Sequence, residues 1–469
     1  MTLNHFFILA GVAFSLGIWR TSKLRLPMLV VSSVIGVYWF EQFNKTIPAL
    51  SFWLPTATIA LTLLIWTLIV PDKKIALRQN WSTLLLVGLT VVVVAATRFL
   101  SVPNPLLGEM LVPRLQMVVV FLLALGIFGG ILLWARAYTR IFVWGAFLAL
   151  LAIFVLLKSP SLNRILSDQI GASSKTWIVW LGYSYFAFRI IHTLREYQKG
   201  VEMRVSLAEY LVYVTFFPAF MAGPIDRLPR FLQDLRTAER NSDADWLDAL
   251  VRFAWGLFKK FVLADSLARF ALSPELFPFI QGSARFWLAL YAYTFQIYFD
   301  FSGYTDIAIG TGRLIGIQLP ENFAAPYRKP NLTQFWNSWH ITLTQWFRAY
   351  FFNPLQRTLR RNAKKLPIWA LILFLQLATM TLIGLWHGIV WNFVLWGLWH
   401  GFGLFVHNRW RDAFGAKVAA WAYTRKKENL LNLTGIFLTF HYVAVGWIFF
   451  TLPDRMILPA LQLMLGLTA

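Results

Sequence analysis

The run Leu84-Leu-Leu-Val-Gly-Leu-Thr-Val-Val-Val-Val-Ala-Ala96 holds no charged residue and no alternation of apolar with polar positions. A membrane-barrel strand alternates between its lipid and lumen faces at every second residue, so this continuous run excludes a porin-like barrel. Read as a helix it extends over 82–100, about the 20 residues that a bilayer's hydrocarbon requires. Inside hydrocarbon every backbone N–H and C=O must bond within its own segment, which a helix achieves alone. Further apolar spans are read at 4–19, 27–39, 51–70, 115–135, 141–157, 177–194, 206–222, 246–271, 284–299, 367–386, 389–407 and 430–452. The expected fold class is therefore all-α, a polytopic helical membrane protein.

Composition agrees. Of 469 residues 58% are hydrophobic and 14% charged, far too apolar for a soluble chain. About 270 apolar residues at roughly 20 per span set a ceiling of about a dozen crossings. The count is set at about 11 transmembrane helices, with three segments read as re-entrant or interfacial pieces. Pro218, Gly223 and Pro224 interrupt 206–222, which reads as re-entrant. In 246–271, Lys259 and Lys260 among large apolar residues suggest an interfacial helix with snorkelling lysines. Phe335 to Phe352 sets Trp336, Trp339, Leu343, Trp346 and Tyr350 at helical spacing but mixes them with Asn337, Ser338, Gln345 and Arg348. No internal repeat or soluble domain is evident, so 1–469 reads as a single membrane domain.

The formal charge of +22 reports cytoplasmic connections lying on anionic lipid, and no nucleic-acid partner is read from it. Basic segments at Arg20 to Arg25, Lys73 to Arg78, Arg136 to Arg140 and Arg195 to Arg204 fall at every second connection, and Ser101 to Met110 has no Lys or Arg. By the positive-inside rule the N-terminus lies outside the cytoplasm, in a multi-pass protein of the inner or plasma membrane. Met1 to His5 lacks a basic n-region, so the first apolar run reads as a retained span. With no Cys, disulfides, thiolate metal sites and a Cys nucleophile are excluded. Aromatics at 17%, with 23 Trp, exceed the needs of interfacial belts and point to an aromatic interior.

Few residues in such a chain can do chemistry. His387, in Gly384-Leu-Trp-His-Gly388, sits in an apolar stretch, where an imidazole is costly and usually has a task; the alternative is a histidine hydrogen-bonded between helices. Gly384 and Gly388 would let a substrate or a neighbouring backbone approach it. His340, in Phe335-Trp-Asn-Ser-Trp-His-Ile-Thr-Leu-Thr-Gln-Trp-Phe-Arg348, could orient a substrate or steady an oxyanion, or face headgroups on an interfacial helix. In Tyr298-Phe-Asp-Phe-Ser-Gly-Tyr-Thr-Asp-Ile-Ala-Ile-Gly310 the carboxylates of Asp300 and Asp306 suggest a cation site, but a helix start capped by Asp, Ser302 or Thr305 weighs more. Trp336, Asn337, Trp386, Asp300 and Ser302 are the candidate substrate-binding residues around the two histidines. Leu319 to Phe323 and Pro326 to Pro330 read as a structured loop without chemistry of its own. His400 and His441 read as core hydrogen-bonders. No HExxH, P-loop or GxSxG is present, so zinc, nucleotide-driven and serine-hydrolase readings have no anchor, and no metal site is expected.

Taken in order, Phe216-Phe-Pro-Ala-Phe-Met-Ala-Gly-Pro-Ile225, Gly256-Leu-Phe-Lys-Lys-Phe-Val-Leu-Ala-Asp265, Tyr298 to Gly310, Leu319-Pro-Glu-Asn-Phe323, Phe335 to Tyr350 and Gly384 to Gly388 resemble the membrane-bound O-acyltransferase family. The likeness is to its bacterial branch of alginate O-acetylation proteins and D-alanyl-lipoteichoic acid transferases. It covers a catalytic core over 182–450, whereas the helices of 1–175 match only in being apolar. The resemblance implies a ring of helices around a thinned central funnel, His387 as catalytic base and His340 as the earlier Trp-His residue. It implies no bound cofactor, an acyl thioester donor (acetyl-CoA or an acyl carrier protein) as substrate, and a glycan acceptor or an acyltransferase partner on the periplasmic or extracellular side. The chain departs at Ala349, where that branch usually has Asp, so any donor-side contact of that Asp has no counterpart here. Phe301 to Gly310 is closer to the O-acetylation side, so acetyl transfer to an exported polysaccharide is expected, with D-alanyl transfer to teichoic acid as the alternative. A competing class is a proton- or ion-coupled transporter or channel using Asp300, Asp306 and the histidines as its path.

Overall fold

The computed structural model describes residues 2–44, 46–71, 73–99, 110–135, 139–170, 177–237, 242–362 and 366–467. These are overwhelmingly helical, with two isolated bridges and no named strand. Six of the described helices are long and apolar enough to cross a membrane: Pro48–Ile69, Arg78–Phe99, Leu115–Trp134, Thr139–Lys158, Ile368–His387 and Arg425–Thr451. The protein is an all-α, multi-pass membrane protein. Other expected spans lie on helices that mix apolar and charged residues, such as Ser283–Ile315 with Asp300 and Asp306, and Trp391–Trp421 with Arg409 and Asp412. Of the charge readings, 101–109 and 136–138 lie outside the described residues.

The chain divides into two compact units, Met1–Phe253 with Ile307–Leu319, and Ala254–Asp306 with Pro320–Ala469. In the first, the expected re-entrant segment begins at a capping box, where Ser206 accepts from the Glu209 amide and Glu209 accepts from the Ser206 amide. The helix Leu207–Thr215 then stops after nine residues, roughly 14 Å against about 30 Å of hydrocarbon. A single turn of 3₁₀ helix, Phe217–Ala219, follows. The carbonyls this break frees are met by one buried guanidinium: Arg189 donates to Tyr213, Val214 and Ala219 at 3.0–3.1 Å. That is how irregular backbone is tolerated away from water.

The second unit overturns two expectations. No helix starts at Asp300, because Ser283–Ile315 runs unbroken through the whole aspartate motif. Its carboxylates do not cap anything, since mid-helix amides already bond within the helix. Nor do Lys259 and Lys260 snorkel. Both stand on the π-helical stretch Phe258–Ala264 and reach carboxylates, Lys259 to Asp306 at 2.6 Å and Lys260 to Asp300 at 2.5 Å. Gly303 explains why the backbones come so near, for a Cβ there would lie 2.8 Å from the Lys260 amide nitrogen and 2.9 Å from the Gly256 oxygen.

Ile368–His387 and Trp391–Trp421 form an antiparallel hairpin turned by Gly388, Ile389 and Val390. Glycines set its closeness: a Cβ at Gly384 would strike the Phe393 carbonyl, one at Gly397 the Thr381 backbone, and one at Gly401 would lie 2.9 Å from Leu377 Cα. What approaches Gly384 is thus a neighbouring backbone. Gly397→Val should force the helices apart, cost about 1–3 kcal/mol or more, and lower the thermal midpoint in detergent. Gly415→Ala on the same helix, where the nearest atom is the flexible Arg411 Cγ at 3.4 Å, should leave that midpoint unchanged.

Candidate active site

His340 is presented by a turn, and its backbone carries the signature of a constrained position. Between the short helices Leu332–Trp336 and Ile341–Phe347 it adopts φ +43°, a left-handed conformation that a residue with a Cβ seldom takes without something holding it there. What holds it is the loop that sequence reading left without chemistry. Phe323 and Trp339 form an antiparallel bridge, the Ala324 amide donates to the Ser338 carbonyl at 3.0 Å, and the Ile341 amide donates to the Asn322 carbonyl at 3.0 Å. The Asn322 side-chain oxygen also accepts from the Thr342 hydroxyl at 2.6 Å. Asn322 is fully buried. Its place in Leu-Pro-Glu-Asn-Phe was the available signal, since an Asn beside a turn can bind two backbone segments at once.

Around this turn three distant motifs converge. The Phe301 ring, from the aspartate motif, meets the His340 ring edge-on at 4.6 Å. Trp386 lies 6.0 Å from His340 and 4.5 Å from His387, ring centre to ring centre. One indole is therefore in ring contact with both histidines. His387 ends its helix, half-buried, with Phe450 at 4.8 Å and Phe393 and Trp396 each at 5.8 Å. His340 is 3% exposed and neither ring nitrogen has a hydrogen-bond partner among the described residues. It lies outside the six spans, and burial pushes its imidazole down to about 3, so the ring is neutral, with one N–H to donate and one nitrogen to accept.

The other candidates divide. Ser302 is buried on the same helix as Phe301. Asp300 is half-exposed and held by Lys260. Trp336 and Asn337 belong to an adjoining cavity of about 160 Å³ that also includes Thr333, Arg348, Gln376 and Asn408. There the Arg348 guanidinium donates to the Asn337 side-chain oxygen at 2.6 Å. His441 is the core hydrogen-bonder expected, tied to the Tyr291 hydroxyl and the Phe437 carbonyl. His400 is not: it is fully buried among rings and makes no hydrogen bond among the described residues. No three His, Asp or Glu side chains cluster as metal ligands among the described residues. The arrangement suits proton transfer and hydrogen bonding inside an aromatic, water-poor setting.

Comparison with known proteins agrees with that chemistry. The family model of the membrane-bound O-acyltransferase family matches residues 137–445. A teichoic acid D-alanyltransferase from Streptococcus thermophilus is 30% identical over 345 residues, 68% of this chain and 80% of that protein. A peptidoglycan O-acetyltransferase from Helicobacter pylori is 36% identical, over 52% of this chain and 43% of that protein. A probable alginate O-acetylase AlgI from Azotobacter vinelandii is 36% identical, over 58% of this chain and 50% of that protein. The matched region thus spans about half the length of these two O-acetyl-transferring relatives.

The Asn322 clamp is open to a direct check. Asn322→Leu should cost about 1–3 kcal/mol locally by removing the oxygen that accepts from the Thr342 hydroxyl. Hydrogen exchange at the Ala324 and Ile341 amides should speed about tenfold or more, while the exchange of the Arg425–Thr451 helix stays unchanged.

Proposed function

This chain belongs to the membrane-bound O-acyltransferase family and is an acyltransferase, and from that premise we propose that it moves an acetyl group from a cytoplasmic thioester donor to a hydroxyl of an exported polysaccharide or other cell-envelope acceptor. The donor is acetyl-CoA or an acyl carrier protein. The acceptor is reached directly, or by relay through a second acyltransferase on the periplasmic or extracellular side. The membrane is the inner or plasma membrane, with the N-terminus outside the cytoplasm.

The observation that carries the reading is the row Phe301, His340, Trp386 and His387, assembled from three separate motifs around two imidazoles. In the reaction His387 takes the hydroxyl proton as the acceptor oxygen attacks the thioester carbonyl. The tetrahedral intermediate then expels a thiolate, which takes that proton back from the imidazolium, leaving an ester and a free thiol. His340, neutral and with an N–H to give, steadies the oxyanion or orients the reacting carbonyl. Direct transfer of this kind requires no thiol on the enzyme, in keeping with a chain that has no cysteine.

A second reading, D-alanyl transfer to teichoic acid, is favoured by one observation: the match covers 80% of the D-alanyltransferase but about half of the O-acetyl-transferring relatives. The two part on the donor. Purified protein given labelled acetyl and D-alanyl thioesters should move the acetyl label, and movement of the D-alanyl label alone would select the second reading. His387→Ala, still folded, should lose about 10²–10⁴ in rate; undiminished transfer would sink the mechanism.

His340 adds no ionisation in the working pH range, because its buried ring is already neutral there. His340→Gln should therefore lower transfer by a similar factor at every pH, and a factor that changes with pH would give the ring a titrating role instead.

A further inference from the structure

A cavity of about 330 Å³ opens among three of the helices long and apolar enough to cross a membrane, Pro48–Ile69, Arg78–Phe99 and Leu115–Trp134. Four glycines line it, Gly88, Gly126, Gly129 and Gly130. In a membrane helix glycine usually lets another backbone come close, as it does in the hairpin of Gly384 and Gly397. These four do not, because a Cβ built at any of them would meet nothing within 4 Å. Glycine also weakens a helix relative to alanine or leucine. Neither packing nor helix formation therefore accounts for them, and their effect is to deepen a trough that larger side chains would fill.

The lining says what the trough accepts. Its polar groups are committed elsewhere: the Thr56 hydroxyl donates to the Phe52 carbonyl, the Thr67 hydroxyl to the Leu64 carbonyl and the Trp66 indole to the Val205 carbonyl. Every other lining residue is aliphatic, phenylalanine or glycine. Gly126 and Gly130 are exposed, so the trough has surface that a ligand can touch. On Leu115–Trp134 the lining runs along one face from Phe121 to Leu133, roughly 18 Å, close to one leaflet of a hydrocarbon core about 30 Å thick. One end carries the marks of the headgroup level. Leu133 adjoins Trp134, which is 88% exposed, and Trp81, 60% exposed, stands one turn before Leu84; exposed tryptophans of this kind sit where hydrocarbon meets water. Just beyond them lie the exposed guanidinium groups of Arg78 and Arg140, with Lys73 and Lys74 opening the helix that contains Arg78. The positive-inside rule sets this end toward the cytoplasm, beside the leaflet rich in anionic lipid.

We propose that this trough is a binding site for one acyl chain of an anionic phospholipid, whose phosphate sits at the level of Arg78 and Arg140. A polar ligand finds no free hydrogen-bonding group in the lining. A partner helix, about 10 Å across, needs far more room than 330 Å³. A single hydrocarbon chain fits both the apolar walls and the leaflet-deep length, and by filling the trough it restores the dispersion contacts that the bare glycines forgo. Guanidinium groups at the mouth match a phosphate in charge and in geometry. The inference stands apart from the acyl-transfer reading, since no residue of the trough belongs to the row of histidines and rings.

The test uses purified full-length protein in detergent and phosphatidylglycerol with a photoactivatable diazirine in one acyl chain, the labelled peptides being read by mass spectrometry. Label should concentrate on 84–91 and 121–133. Gly126→Leu combined with Gly130→Leu fills open space, so the thermal midpoint should hold or rise while labelling of those segments falls about tenfold. Gly145→Leu is the control: a Cβ there also meets nothing, but the residue lies on Thr139–Lys158 and outside the lining, so labelling should match the wild type. Arg78→Gln with Arg140→Gln should cut the preference for phosphatidylglycerol over phosphatidylcholine about tenfold. If the paired leucine variant does not fold, Gly129→Leu is read in its place. Labelling that the leucines leave unchanged, or that is as strong on Thr139–Lys158 as on the trough, would overturn the inference, for the lipid would then merely surround the protein. Displacement of the probe by a polyprenyl phosphate but not by excess phosphatidylglycerol, or a dimer that the leucines dissolve, would give the trough to another occupant and overturn it as well.

Discussion

The closeness of one helical hairpin governs the candidate site. Where Ile368–His387 meets Trp391–Trp421, the helices touch backbone to backbone because Gly384, Gly397 and Gly401 present no Cβ to one another's carbonyls and Cα atoms. In hydrocarbon, water gives two apolar helices no reason to associate, so contact at this range must supply the attraction through dispersion. The hairpin fixes His387 at the end of one helix and His400 within the other, with Trp396 packed against both. A hairpin held apart by ordinary side chains would set the two imidazoles at another spacing and open the ground between them.

The second constraint is the left-handed backbone of His340. Its conformation is unfavourable for a residue with a side chain, and it is kept by bonds that come from another segment, the Asn322 to Ala324 loop. Positions of this sort concentrate where a side chain must be aimed rather than merely buried. Here the aim is along a row of rings from Phe301 to Trp386. Both histidines of the row thus leave irregular backbone, one from a turn and one from a helix end, and at the turn its backbone groups are met from the Asn322 to Ala324 loop.

For acyl transfer, the aromatic walls matter as much as the bases. A thioester is open to hydrolysis wherever water reaches it, and rings of Phe, Trp and Tyr leave little room for water while strengthening the few hydrogen bonds that remain. The chain's excess of tryptophan finds its use here. Trp336, Trp386, Trp396 and Trp447 are all 8% exposed or less, buried inside the protein, whereas the tryptophans of an interfacial belt face lipid headgroups.

Much of this was legible in the order of residues. Continuous runs such as Leu84 to Ala96 dictated helices, because hydrocarbon leaves the backbone no other way to bond locally. Pro218 and Gly223 marked the broken segment, and the ordered motifs around His340 and His387 carried the family. What the sequence withheld concerns partners in space. Asp300 and Asp306 read as helix caps because a turn-forming Gly and Ser lie between them. Only the packed π-helical neighbour, with its two lysines, shows why carboxylates belong in mid-helix. Likewise nothing local in Leu319 to Phe323 reveals that Asn322 clamps the turn of His340, and nothing local separates His441, bonded at both nitrogens, from His400, bonded at neither among the described residues. Periodicity and breaks are properties of neighbours along the chain, so the sequence determines elements. Burial, pairing and the aim of a side chain depend on residues tens of positions away, and only the tertiary structure decides them.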